Sequence, residues 1–112
     1  MFLKSAWERV RPRRKPRESV DLNPVEQLAM RYLLSFGAGT MERVYREVSA
    51  TRVAGHAEVG EALARLVSEG LAESRFRFEG GRSEAVFFPS KKGTKLRGRI
   101  PLEPRGVIEF YL

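Results

Sequence analysis

The side chains with the clearest chemical capacity in this sequence are its arginines. The chain of 112 residues has 21 lysines and arginines against 14 acidic residues, which gives a net charge of +7. Sixteen of these cations are arginine, and its planar guanidinium donates two parallel hydrogen bonds to a phosphate or a carboxylate. The excess of arginine therefore indicates either phosphate binding or simply a GC-rich genome, which also enriches arginine. The position of the charges along the chain has to decide between these two explanations.

The charges are divided unevenly along the chain. Residues 1–20 carry seven cations and two anions, residues 21–70 carry five and seven, and residues 71–112 carry nine and five. A weakly acidic centre between two basic flanks predicts a folded body with basic extensions, which bind a polyanion. The candidate phosphate-binding residues in the flanks are Arg11, Arg13, Arg14, Lys15, Arg17, Arg75, Arg77, Arg82, Lys91 and Lys92.

Few residues are available for other kinds of chemistry. Cysteine is absent, which excludes disulfides, thiolate zinc sites and cysteine catalysis. His56 is the only histidine, and one histidine alone supports neither a metal site nor a Ser-His-Asp triad. We expect it to lie at the start of a helix with a structural role. The glycine pair Gly80-Gly81 lacks the Lys-Ser/Thr of a phosphate loop. We therefore predict no enzyme activity, no cofactor and no metal.

The apolar segments are short. None approaches the roughly 18 residues of a membrane span, and the N-terminal MFLKSAW is too short for a secretory signal. We expect a soluble, cytoplasmic protein with no membrane partner.

The first twenty residues predict a short helix and an arm. In MFLKSAWERV, Phe2, Leu3 and Trp7 follow helical spacing on one face, and a helix of ten residues needs a surface to dock on. That surface is this chain, a second copy or another protein. Prolines and mutually repelling cations in residues 11–17 predict an extended, solvated arm. We assign residues 1–20 to the helix and arm, and 21–112 to the main domain.

Three helices are expected next. Asn23 and Glu26 have the spacing of a capping box at the start of the first helix, which Gly37 and Gly39 end. A second helix is predicted near 41–49 and a third near 56–69, each with apolar residues at helical spacing.

After the third helix the apolar period changes from 3.6 to 2. Residues 75–78 alternate strictly, residues 79–82 form a turn with paired glycines, and residues 83–89 return as a second strand. One helical turn is expected within 90–96. The final VIEFYL, residues 107–112, predicts a strand that pairs with the hairpin or with a second copy.

Four phenylalanines belong to the predicted hairpin. We expect them to pack against the core under it, and stacking on single-stranded bases is the alternative. They are Phe76, Phe78, Phe87 and Phe88.

Three helices followed by a two-stranded hairpin is the element order of a winged helix, an α+β fold. The second half of the sequence resembles winged-helix regulators of the PadR and MarR kind, and replication-initiation proteins use similar modules. The matching residues are Leu63, Leu66, Gly70 and Leu71 in the third helix and its stop, and Phe87, Phe88, Ser90, Lys92 and Gly93 after the hairpin. The resemblance implies a transcriptional regulator that binds double-stranded DNA, with the hairpin as its wing.

The outer face of the third helix is acidic. It shows Glu58 and Glu61 beside Arg65, and carboxylates repel phosphate. We therefore expect the arm and the wing to hold phosphates, while Arg52 and Arg65 at the ends of the helix contact base edges or phosphates.

The alternative function is a protein-interaction winged helix, which docks on a transcription or replication component through the acidic third helix and the segment with Phe2, Leu3 and Trp7. A homodimer is also expected, through the final strand or through an exchanged N-terminal helix.

Overall fold

Three helices and two small antiparallel sheets make up the computed structural model, which describes residues 17–100 and 107–111. The elements in chain order are β1 (Arg17–Asp21), α1 (Pro24–Phe36), β2 (Gly39–Thr40), α2 (Met41–Thr51), α3 (His56–Ser68), β3 (Ala72–Glu79), β4 (Arg82–Pro89), a 3-10 helix (Gly93–Leu96) and β5 (Val107–Tyr111). This order confirms the predicted α+β winged helix.

The start of α1 is fixed by the predicted capping box. The Asn23 side chain accepts a hydrogen bond from the Glu26 backbone N–H at 2.8 Å. The Glu26 carboxylate accepts one from the Asn23 backbone N–H at 2.8 Å. The helix ends at Gly37, also as predicted, in the left-handed region with φ 82°. Local side-chain chemistry therefore sets both ends of this helix.

The three helices enclose one apolar core. Each contributes residues at helical spacing, and their inner side chains are fully buried, including Leu33, Val44, Val48, Leu63 and Leu66. The helix α2 runs two residues beyond its predicted end and α3 stops one residue earlier than expected.

The wing is a three-stranded sheet in the order β2-β4-β3. The predicted hairpin is present, with longer strands than expected and a two-residue turn at Gly80-Gly81, whose φ values are +58° and +78°. Glycine adopts this pair of angles without strain, so the pair favours the tight turn. The third strand, β2, was not predicted; it adds Gly39 and Thr40 opposite Phe87 and Val86.

A second sheet joins the two ends of the described chain. β1 pairs antiparallel with β5, with Arg17 opposite Tyr111 and Val20 opposite Ile108. Val20 and Ile108 are buried against the helical core. The strand predicted at 107–112 is therefore present as 107–111, but the hairpin is not its partner, because residues 17–21 pair with it instead. Pairing of this strand with a second copy stays a prediction.

The segment after the wing is anchored by a close backbone approach. The Ser90 hydroxyl donates to the Gly70 carbonyl and accepts from the Gly93 N–H at 2.9 Å. A side chain on Gly93 would overlap the backbone of Leu71, so the 3-10 helix lies directly on the α3–β3 junction. The predicted helical turn is confirmed here, at 93–96.

Two predicted features lie outside the described residues. They are the N-terminal helix with Phe2, Leu3 and Trp7 and most of the basic arm. Within the described ranges, no helix is both long enough and apolar enough to cross a bilayer.

Candidate nucleic-acid interface

The third helix of the bundle, α3, presents an acidic outer face. Its inner side, with Val59, Leu63 and Leu66, is fully buried. The side chains of Glu58 and Glu61 are exposed. The helix is therefore held rigidly by its core face, and its solvent face repels phosphate, as the sequence predicts.

The guanidinium of Arg65 is engaged by carboxylates of its own chain. Its Nη1 lies 2.6 Å from Oε1 of Glu26, whose side chain is only 4% exposed, and its Nη2 lies 3.9 Å from Glu69. Because Glu26 also closes the capping box, this ion pair ties α3 to the first turn of α1. Arg65 thus positions α3, and a phosphate would have to compete with a nearly buried carboxylate.

The entry to α3 is exposed and aromatic. His56 is the first residue of α3, as predicted, and its ring stacks on Tyr45 with 3.6 Å between centroids. Its Nε2 lies 3.4 Å from a Glu42 oxygen. In the connector before α3, Arg52 is exposed and Val53 is 98% exposed. Arg52 is therefore presented at the entry to α3, where the sequence places it.

One face of the wing carries two arginines that are already in contact with their own chain. The Arg75 guanidinium lies over the Phe88 ring, 5.1 Å from its centroid. Arg77 lies 3.5 Å from Glu79 and 3.3 Å from Glu84. The charge of Arg77 is thereby balanced by two local carboxylates, which weakens its attraction for a phosphate.

The tip of the wing offers a cation of a different kind. Arg82 follows the glycine turn and is exposed. Its cross-strand neighbour is Glu79, and among the described residues no ion pair of 4 Å or less joins the two. Arg82 is therefore the wing arginine best placed to meet an external anion.

The other face of the wing exposes aromatic rings. Phe87 packs against the core, which confirms the prediction for that residue. Phe76 is 72% exposed and Phe78 is 81% exposed, so the predicted core packing of these two is wrong. Both lie on β3 beyond the part of the sheet that the helices cover.

The two lysines after the wing differ in their surroundings. Lys91 is exposed. The Lys92 ammonium donates to the Glu69 backbone carbonyl at 3.4 Å, at the end of α3. Lys92 therefore supports the wing-to-helix junction, while Lys91 points a charge to solvent.

The arm is described only at its last residue. Arg17 begins β1, where its backbone pairs with Tyr111, so the predicted extended arm passes into a strand at this residue. The other candidates of the arm, Arg11, Arg13, Arg14 and Lys15, lie outside the described residues.

Two exposed cations on α2 were not among the predicted phosphate contacts. Arg43 and Arg46 are exposed, and Arg43 shares a shallow depression with Thr40 and Arg77 at the base of the wing. Placing α2 on a helical wheel finds them, because they lie opposite the buried Val44 and Val48.

No grouping of three or more histidine or acidic side chains that could hold a metal ion occurs in 17–100 and 107–111. The described surface as a whole has dispersed cations around an acidic helix and an aromatic ribbon.

No family model matches the sequence, and a search of curated proteins gives no match. Similar folds are found among solved structures. A PadR family transcription regulator from hypervirulent Clostridium difficile superposes with a TM-score of 0.58 at 13% identity, over 68% of this chain and 84% of that one. A transcriptional regulator from Clostridium thermocellum gives 0.55 at 18% identity, over 66% and 73%.

The protein smu.1704 from Streptococcus mutans is similar to the same degree. Its TM-score is 0.58 at 13% identity over 63% of this chain, which spans 66% of that protein's length. At these identities the likeness establishes the fold: this chain has a PadR-like winged-helix fold.

Proposed function

We propose that this protein is a DNA-binding winged-helix regulator that acts by occupying its site and catalyses no reaction. The observation that carries the proposal is the fold, which transcription regulators share at low identity, combined with basic segments on both sides of an acidic centre. Duplex DNA is the expected polyanion, since a winged helix presents a helix and a ribbon of the right size to its grooves.

The proposed phosphate contacts are made by exposed cations that are not already engaged with their own chain. Arg82 and Lys91 are exposed around the wing, and Arg52 is exposed at the entry to α3. The arm supplies a second stretch of phosphate contacts through Arg11, Arg13, Arg14, Lys15 and Arg17. Three nominated residues, Arg65, Arg75 and Arg77, and also Lys92, already contact their own chain. They reach phosphate only by exchanging those contacts, so their substitution should weaken binding less.

A salt titration of duplex binding tests the proposal. With about six phosphate contacts, log K should fall with log salt at a slope near −5. Replacing the four cations at 11, 13, 14 and 15 by glutamine should make the slope shallower by roughly 3 to 4. A wild-type slope near −1 would show that the basic flanks do not bind DNA.

A matched pair of variants separates the wing from general charge. Arg82→Ala should weaken binding and reduce the slope by about 1. Lys95→Ala removes one charge from an exposed lysine outside the nominated set and is the control. Equal effects of the two substitutions would contradict a specific role for the wing tip.

Selection from random duplexes at moderate salt then asks whether the protein reads sequence. Enrichment of a motif is the result expected of a regulator. Flat recovery would instead favour an architectural or protein-docking role.

A second candidate function is favoured by the acidic face of α3. Glu58 and Glu61 line a groove between α3 and the start of α1 that Asn23, Glu26 and Arg65 also line. The one cation in this lining, Arg65, is paired with Glu26, so the two exposed glutamates remain available. Such a groove suits a basic segment of another protein, for example a transcription or replication component. The substitutions Glu58→Lys and Glu61→Lys should strengthen duplex binding if α3 faces DNA. If α3 faces a protein, they should abolish that complex and leave DNA binding unchanged.

A further inference from the structure

The strand β3 is an open edge of the wing sheet. The sheet order is β2-β4-β3, and β4 is the only strand paired with β3 in the described part of the chain. β3 is eight residues long, and seven of them are exposed. An exposed edge of this length has a row of unpaired backbone groups that favour pairing with another strand.

The hairpin geometry decides which backbone groups are unpaired. Glu79 and Arg82 flank the two-residue turn, so they form the closing pair that exchanges both backbone hydrogen bonds. Hydrogen bonding alternates along the ladder. Odd-numbered residues in 73–79 therefore direct their N–H and C=O groups toward β4, and even-numbered residues in 74–78 direct theirs outward. An incoming strand must pair through the even-numbered residues.

The sequence of β3 is self-complementary in one such register. When two copies run antiparallel with Phe76 opposite Phe78 of the second copy, Arg75 faces Glu79 of the second copy, and the symmetry repeats both pairs. Shifting the register so that Phe76 faces itself instead sets Arg75 against Arg77 and Glu73 against Glu79. Opposite charges and aromatic pairs across strands are favourable and like charges are not, so the first register is preferred to the second. The registers in which Phe78 or Arg75 faces itself also set Arg77 opposite a glutamate, but they give one phenylalanine pair or none, against two in the first register.

In this register Arg77 lies on the two-fold axis, facing its own counterpart. Two arginines in this position would normally repel. Here each guanidinium is drawn along the sheet toward β4 and Glu84, at 3.3 Å, and is also close to Glu79, at 3.5 Å. The local carboxylates balance both charges at the axis.

We propose that β3 pairs antiparallel with β3 of a second copy of this chain, with Arg77 on the axis, and that this pairing makes the protein a dimer. The occupant is a second copy because the complementarity is of the strand with itself. Pairing consumes the open edge of both wings and therefore stops at two copies. It also sets four phenylalanines, which are 72% and 81% exposed in each single copy, side by side on one face of the joined sheet, where cross-strand aromatic pairs are favourable. This inference goes beyond DNA binding and does not depend on it.

Disulfide trapping tests the register directly, because the natural chain has no cysteine. In Arg77→Cys the two thiols belong to a directly opposed pair that is not backbone hydrogen-bonded, with Cα atoms about 4.5 Å apart, within the range for a disulfide. The full-length variant should form a covalent dimer on mild oxidation. In Arg75→Cys the two new thiols are four residues out of register, about 13 Å apart along the strand. That control should remain largely uncross-linked.

Charge exchange tests the same register without a covalent bond. Light scattering of the wild type should show a dimer. Arg75→Glu or Glu79→Arg alone places like charges opposite each other and should raise the dimer dissociation constant about tenfold or more. The double variant Arg75→Glu/Glu79→Arg restores both pairs and should return the constant to within about threefold of wild type. Circular dichroism of each variant checks that the monomer is folded.

Several results would overturn the proposal. They are a wild type that is monomeric at high micromolar concentration, equal cross-linking of the two cysteine variants, and no recovery in the double charge exchange. A dimer that is unaffected by Phe76→Ser/Phe78→Ser would place the interface elsewhere. If that variant instead loses affinity for a thymidine oligonucleotide while the wild type is monomeric, the rings stack on bases and the dimer is refuted.

Discussion

Removing the carboxylate of Glu26 should unlock α3 from α1. This side chain closes the capping box with the Asn23 N–H at 2.8 Å and receives the Arg65 guanidinium at 2.6 Å. Glu26 is only 3% exposed, and among the described residues it is the only buried carboxylate. Glu26→Ala removes both contacts at once, so the loss should exceed that of an ordinary surface charge.

The magnitude follows from the two contacts. Loss of a helix-capping bond costs about 1 kcal/mol. The ion pair adds about 0.5–1 kcal/mol, since the Arg65 side chain is 41% exposed and solvent screens the pair. We expect Glu26→Ala to lower the free energy of unfolding by about 2 kcal/mol. Glu26→Gln keeps an acceptor for the Asn23 N–H and should cost about half as much.

Urea denaturation followed by circular dichroism measures these differences. The control is Glu69→Gln, because Glu69 lies 3.9 Å from the same guanidinium but is 42% exposed; it should cost less than about 0.5 kcal/mol. A double-mutant cycle between Glu26 and Arg65 should give a coupling of about 1 kcal/mol. A coupling near zero, or equal effects at Glu26 and Glu69, would refute this account of the junction.

Two further substitutions test the packing. Gly93→Ala should destabilise the fold by at least about 2 kcal/mol, because its methyl would overlap the Leu71 carbonyl. Gly60→Ala, inside α3 with its nearest new contact at the Met41 sulfur, 3.6 Å away, should not destabilise the fold; similar midpoints in urea for both would contradict the close approach. Phe87→Ala should cost about 2–3 kcal/mol, since its ring packs against the core, while Phe36→Ala, 65% exposed, should cost under about 1 kcal/mol, a ranking that thermal melts can check.

The features that the sequence predicts well are those set by near neighbours. The capping box of Asn23 and Glu26, the stop at Gly37 and the turn at Gly80-Gly81 each depend on residues within one or two turns of chain. Helical spacing of apolar residues likewise identifies the inner face of all three helices. These signals establish the element order, and the element order establishes the winged helix.

The features that the sequence does not predict depend on distant parts of the chain. The pairing of β1 with β5 and the short strand β2 are set by which segments meet across the core, and no local pattern encodes that. The exposure of Phe76 and Phe78 has the same origin. Alternation on a strand is identical whether helices cover the strand or stop short of it, and here the helical layer ends before these two rings.

The candidate site was also predicted only in part from the sequence. Charge segregation indicates which flanks are basic, but not which cations are already in use. Arg65 and Arg77 have the same formal charge as Arg82, yet the first two are held by carboxylates brought close by folding. Only three-dimensional proximity separates the arginines that support the fold from those available to a ligand.

The pairing of β1 with β5 has a kinetic consequence. Its two strands come from opposite ends of the described chain, so closing that contact carries a larger loop entropy than any contact within the helical bundle or the hairpin. It should therefore form after the bundle has assembled, and the refolding rate should respond to Leu63→Ala more than to Ile108→Ala. The strand β1 is then fixed to the body only in the last step of folding.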